Sequence, residues 1–158
     1  DESIRVPLII SGPGFSKTGG RTITAPAVNA DLTATILQAA GATPGRSMDG
    51  VPLQSLIANP TSMQNRFVAI ETGQNPRVPW YSGLHSLRWH LEKIVGDGIL
   101  PERFELYDLT KDPYEINAVT NDPKYSSALA QLKSKLSVLE TCKGSTCNVV
   151  DDVTPPSS

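Results

Sequence analysis

The sequence predicts an α+β fold in which a small sheet is covered by a helix near the C-terminus. Three observations carry that expectation. Phe104, Leu106 and Asp108 alternate with Glu105, Tyr107 and Leu109, and a period of two belongs to a strand. Arg66 to Thr72 alternates likewise, Phe67, Ala69 and Glu71 against Val68 and Ile70. Leu129, Leu132, Leu136 and Leu139 recur at helical spacing, an apolar stripe suited to lie on a sheet.

Taken from the start, Ile4 to Ser11 is apolar on both faces and is expected as a largely buried strand closed by Gly12-Pro13-Gly14. Gly14 and Gly19 have the spacing of a phosphate-binding loop, but Gly20-Arg21 stands where Gly-Lys-Ser/Thr is required, so nucleotide binding is excluded. Arg21 to Val28 offers a second short strand. Asp31 is the expected N-cap of a helix with Leu32, Ile36, Ala39 and Ala40 on one face, ended in a left-handed turn by Gly41. That helix carries no charge along its surface and is expected to pack into something larger. Asp49-Gly50-Val51-Pro52 forms a turn, and Leu53, Leu56 and Ile57 one further helical turn. Asn59 to Asn65 is polar and marks a boundary between subdomains.

Beyond the Arg66–Thr72 strand, Gln74 to Pro79 is a loop. Tyr81 to Val95 forms a hairpin or one long bent strand, and Gly96 to Pro101 links it to the Phe104–Leu109 strand. Asp112-Pro113 stops that strand, because proline has no N–H for a ladder and Asx-Pro starts turns. Asp122 caps the last helix with Pro123 in its first position, where a missing N–H costs nothing. Asp151 to Ser158 is acidic and then Pro/Ser-rich, and is expected to fray.

At 158 residues the chain holds one compact domain, or one domain and part of another. A hydrophobic share of 39% and a mean hydropathy of -0.19 fit a globular protein. The net charge is -2 and the 14 Lys and Arg are scattered, which argues against a nucleic-acid surface or a polybasic membrane patch. No apolar run approaches the ~20 residues of a membrane helix. The Asp1 start, without Met or signal peptide and running straight into strand-like sequence, suggests a chain cut from something longer.

Candidate chemistry is sparse. His85 and His90 are the two histidines; on a single strand their odd offset places them on opposite faces, so they are expected to be unrelated and unable to share a metal unless a bulge or turn intervenes. No Gly-x-Ser-x-Gly elbow occurs. The acidic pairs Asp1-Glu2 and Asp151-Asp152 sit at chain ends and are expected to be solvated. Glu71, Tyr81, His85 and Arg88 offer polar groups to a substrate cleft formed with another domain. Cys142 and Cys147, five apart, can close a disulfide if Gly144 supplies a turn, and such a ring contributes about 2 kcal/mol. Two free thiols remain open, whereas a zinc site with no further Cys or nearby His is poor.

Glu105-Leu106-Tyr107-Asp108-Leu109, followed by Asp112-Pro113, Glu115 and Asn117, resembles the signature near the end of sulfatases, the formylglycine-dependent enzymes of the alkaline-phosphatase-like superfamily. Glu2 to Gly14 is similar to another family segment, and Asn29 to Leu37 with Met48-Asp49-Gly50 to the helix and loop that follow it. The resemblance implies residues 1–61 as the tail of the large alkaline-phosphatase-like α/β domain, 62–150 as a smaller subdomain, and 151–158 as a frayed tail. That subdomain would be a roughly four-stranded antiparallel sheet packed against a C-terminal helix.

The resemblance also implies a parent that hydrolyses sulfate esters, with sulfated sugars as the substrate class and formylglycine and calcium as its equipment. No cofactor is expected in this chain. Ala42-Thr43-Pro44-Gly45-Arg46 imitates the Cys/Ser-x-Pro-x-Arg motif that makes formylglycine, but Ala42 has no side-chain atom to oxidise. The calcium carboxylates and the family's lysine belong upstream. No catalytic or metal-binding residue is therefore expected here, and the chain alone should be inactive. Its expected partners are the missing N-terminal domain, the sulfated substrate of the parent and, through an exposed Ile4–Ile10 strand, a second copy. Cys142 to Cys147 resembles the terminal cysteine loop of secreted glucosamine-6-sulfatase-like enzymes, which implies the bridge and a secreted or extracytoplasmic setting. Two alternatives stay open: a phosphodiesterase or phosphotransferase of the same superfamily, and a non-catalytic module that binds sulfated glycans.

Overall fold

The computed structural model describes residues 4–12, 15, 20–61, 63–72, 80–95 and 101–157. The chain order is helix α1 (Asn29–Ala39), helix α2 (Leu53–Ala58), strands β1 (Val68–Glu71), β2 (Trp80–His85), β3 (Trp89–Val95) and β4 (Arg103–Asp108), then helix α3 (Ser126–Leu139). The strands form one antiparallel sheet in the order β1-β2-β3-β4. The α+β class, the antiparallel sheet and the covering C-terminal helix are as the sequence predicts. Glu2, Gly14, residues 16–19, Gln74–Pro79 and most of Gly96–Pro101 lie outside the described residues.

Alternation gives the sheet two different faces. Leu84, Leu91 and Leu106 are cross-strand neighbours on one of them. All three are fully buried, with Trp89 and Phe67, against Ala128, Leu132, Leu136 and Leu139 of α3. Each such side chain contributes about 1.5–3 kcal/mol by leaving water. Glycine at position 83 lets β2 and β3 approach, because a Cβ there would lie 2.7 Å from the Leu91 carbonyl oxygen. Asp122 accepts a hydrogen bond from the Lys124 N–H and opens a 3-10 turn, Pro123–Tyr125, that runs into α3. The cap falls where the sequence placed it.

Asp108, at the end of β4, is 1% exposed. Its carboxylate accepts from Arg88 at 3.0 Å, Thr110 Oγ1 at 2.6 Å and the Tyr125 hydroxyl at 3.3 Å. The aspartate of the sulfatase-like signature thus ties the β2–β3 turn to the start of the helical segment.

Four expectations change. Ile4 to Ser11 joins no ladder of the described strands, and Val6 and Ile9 are 72% and 92% exposed, with only Ile10 reaching a small cluster around Leu53 and Leu56. A strand apolar on both faces needs neighbours on both sides, and none of the described strands supplies one. Asp31 is not an N-cap but the third residue of α1. Its carboxylate reaches back to the Val28 N–H at 2.9 Å, so the helix begins three residues earlier than expected. The expected apolar face of α1 points outward at Ile36, while Asp31, Ala34 and Thr35 are buried. The acidic pair near the C-terminus is not simply solvated. Asp151 accepts from Ser86 Oγ at 2.6 Å, Asp152 pairs with Lys135 at 2.7 Å, and Val153 is buried in the main core.

Asp31 is fully buried and paired with Arg66, which is 4% exposed. Arg66 also donates from Nε to the Pro26 carbonyl at 3.0 Å, and Asp31 accepts from the Val51 N–H at 2.9 Å. A second tie runs from the Gly144 N–H to Asp49 Oδ1 at 2.6 Å. The segment before residue 61 is thereby held to the sheet by polar contacts rather than by a shared apolar core. Cys142 and Cys147 are bonded, with Gly144 in the left-handed conformation their loop requires. Among the described residues no helix is long and apolar enough to cross a membrane.

Candidate functional site

The second face of the sheet, turned away from α3, carries a polar cluster beside Val68, Ile70 and the buried Ile94. Strand alternation places Tyr81 and His85 of β2, His90 and Glu92 of β3, and Glu105 and Tyr107 of β4 there. His85 and His90 stand directly opposite each other across the β2–β3 pair, their ring centroids 5.2 Å apart. The expectation that they occupy opposite faces is thus corrected. That parity rule holds within one strand, but the chain reverses between them. Ser86 makes the reversal: its Oγ accepts from the N–H groups of Arg88 at 3.1 Å and Trp89 at 3.0 Å.

Glu115 completes the group from outside the sheet. After β4, Asp112 fixes a loop by accepting from the Glu115 N–H at its carbonyl and from the Asn117 N–H at its carboxylate, at 3.2 and 2.7 Å. Glu115 adopts φ of 55°, a left-handed conformation uncommon for a residue with a side chain. Its carboxylate then reaches back over the sheet, with Oε1 2.9 Å from His90 Nδ1 and 4.0 Å from His85 Nε2. The acid of the Asp-Pro-x-Glu wording is therefore a site residue, which the sequence singled out only as part of a signature.

The field on this face follows from burial. His85 is pushed down to about 4, first by loss of water and then by the neighbouring His90, with Glu115 opposing, so its imidazole is neutral at neutral pH. Burial raises Glu92, and Glu105 and Glu115 add repulsion against the lowering pull of His90. Tyr107 is raised by burial and by its 2.8 Å hydrogen bond to Glu105. The face presents two imidazoles, two phenols and several carboxylates, able to grip hydroxyls or a cation.

The four residues expected at a substrate cleft do not converge. Tyr81 and His85 share the polar face, but Glu71 pairs with Ser82 and points the other way. Arg88 is engaged by Asp108 and lies over the Trp89 ring, 4.9 Å from its centroid. His90 and Glu115 were not singled out as site residues in the sequence. The described residues do not suit calcium, which takes six to eight oxygens. Their one group of three possible ligands, His85, His90 and Glu115, is nitrogen-rich. Ala42, which opens the imitation motif, follows the end of α1 rather than opening a helix.

Sheet, covering helix and signature loop together describe the C-terminal portion of a sulfatase. The family described as "N-sulphoglucosamine sulphohydrolase, C-terminal" matches residues 1–142, and the chain belongs to it. An ulvan-active sulfatase of Formosa agariphila is 30% identical over 141 residues, covering 86% of this chain and 26% of the relative. A Delta 4,5-hexuronate-2-O-sulfatase of Bacteroides thetaiotaomicron is 29% identical, covering 86% and 28%. A solved structure described as bound to its substrate D-glucosamine-2-N,6-O-disulfate superposes with a TM-score of 0.61 at 20% identity, over 78% of this chain and 25% of that one. At that identity the likeness speaks for the fold alone, the alkaline-phosphatase-like fold of sulfatases. The chain spans about a quarter of the length of these relatives.

Proposed function

We propose that this chain is the C-terminal portion of an exported sulfatase that acts on sulfated sugars. In this reading it supplies scaffold and one wall of the substrate cleft, while the nucleophile and calcium ligands belong to the rest of the enzyme. The observation that carries the reading is the family match over residues 1–142 in a chain a quarter of its relatives' length, without a formylglycine motif. Relatives named for ulvan and for a hexuronate 2-O-sulfate support a sugar substrate. The Cys142–Cys147 bond supports an oxidising compartment. The outward Val6, Leu8 and Ile9 would be covered by the large domain, a second copy being the other candidate for that strip.

Within that cleft the wall would be the polar face, with Tyr81 and His85 toward the sugar. Arg88 and Glu71 would act from the periphery. In the intact enzyme, Tyr81→Ala and His85→Gln should raise KM for a sulfated disaccharide several-fold more than for a small aryl sulfate. Equal effects on both substrates would refute the proposed wall.

A further inference from the structure

We propose that His85, His90 and Glu115 form a binding site for a divalent transition-metal ion of the zinc type, separate from any calcium site of the enzyme. The three donors come from β2, from β3 and from the loop after β4, and their ligand atoms all lie within 4.8 Å of one another. Zinc–nitrogen bonds of about 2.0–2.1 Å in tetrahedral geometry put ligand atoms roughly 3.4 Å apart. His90 Nδ1 and Glu115 Oε1 are already closer than this at 2.9 Å, and His85 Nε2 is 4.0 Å from the same oxygen. Small side-chain rotations suffice to bring all three to bonding distance.

The donor set selects the ion. Two imidazoles and one carboxylate suit zinc, cobalt, nickel or copper, whereas calcium and magnesium prefer oxygen alone. Side-chain exposures of 14%, 11% and 14% give a shielded site. Three protein ligands also leave a fourth position for water or a substrate oxygen. Bound there, the ion would pin the signature loop to the β2–β3 hairpin.

Cobalt(II) is the probe, titrated into the untagged chain with calcium in excess and followed by visible d–d absorption. The expected result is one equivalent bound, displaced by zinc, with both histidine ring systems shifting in the NMR spectrum. His85→Ala and His90→Ala should each weaken binding at least tenfold, and so should Glu115→Gln, which preserves shape. Absence of saturable cobalt or zinc binding by the folded chain overturns the site. So does binding unchanged by all three substitutions. Should a variant lose its fold, the wild-type NMR titration decides: shifts centred away from His85 and His90 refute the assignment.

Discussion

Replacing Arg66 by Met tests how the N-terminal segment is held to the sheet. Asp31 is wholly buried and Arg66 is 4% exposed, so neither charge can turn to water. Arg66→Met leaves the Asp31 carboxylate with the Val28 and Val51 N–H groups, both at 2.9 Å, and no cation. It also strips the Pro26 carbonyl of its 3.0 Å donor. Removing one member of a buried pair costs about 3–5 kcal/mol, because the other charge stays behind uncompensated. Against a total of roughly 5–15 kcal/mol this is a large fraction. With an m-value of about 2 kcal/mol/M, the urea midpoint should fall by about 2 M. The assay is equilibrium unfolding followed by the fluorescence of Trp89, which is buried in the main core. Asp31→Leu combined with Arg66→Met should cost less than the sum of the single changes, since neither charge is then stranded. A loss below about 1 kcal/mol for Arg66→Met would refute the reasoning, as would strict additivity.

Two further predictions concern the hairpin. Burial lowers the folded-state His85 from 6.5 to about 4, so the unfolded chain takes up the proton first. The corresponding stability is complete above about pH 6.5 and is lost as pH falls through about 4, on the order of 3 kcal/mol in all. His90, Glu92 and Glu115 share the face, so the comparison is between the parent and His85→Gln in chelator-treated buffer; identical stability profiles from pH 4 to 7 would contradict it. Gly83→Ala should destabilise by about 1–3 kcal/mol, because its methyl meets the Leu91 carbonyl oxygen at 2.7 Å. Thermal unfolding checks this, and an unchanged Tm would show that the strands can separate to admit the methyl.

The parts legible in the sequence are those whose signal is local. The alternation of β4, the leucine stripe of α3 and the Asp122-Pro123 cap were all readable, because each depends on residues a few positions apart. The hairpin was legible only as one of two options. Its turn rests on Ser86 Oγ accepting two N–H groups, with no Gly, Pro or Asn to announce it. The pairing of His85 with His90 follows from that turn and was lost with it. Glu115 and the Asp31–Arg66 pair depend on contacts 25 and 35 positions apart in sequence, beyond the reach of periodicity. The strand expected at Ile4–Ser11 shows the converse. Its apolar pattern is plain, yet a ladder needs a partner, and no described strand of the chain pairs with it.

The central claim, that the chain carries a sulfatase wall without the reactive groups, is tested most directly by turnover. The purified chain should release no dye from an aryl sulfate reporter with calcium supplied. Steady release that scales with the amount of chain would contradict it.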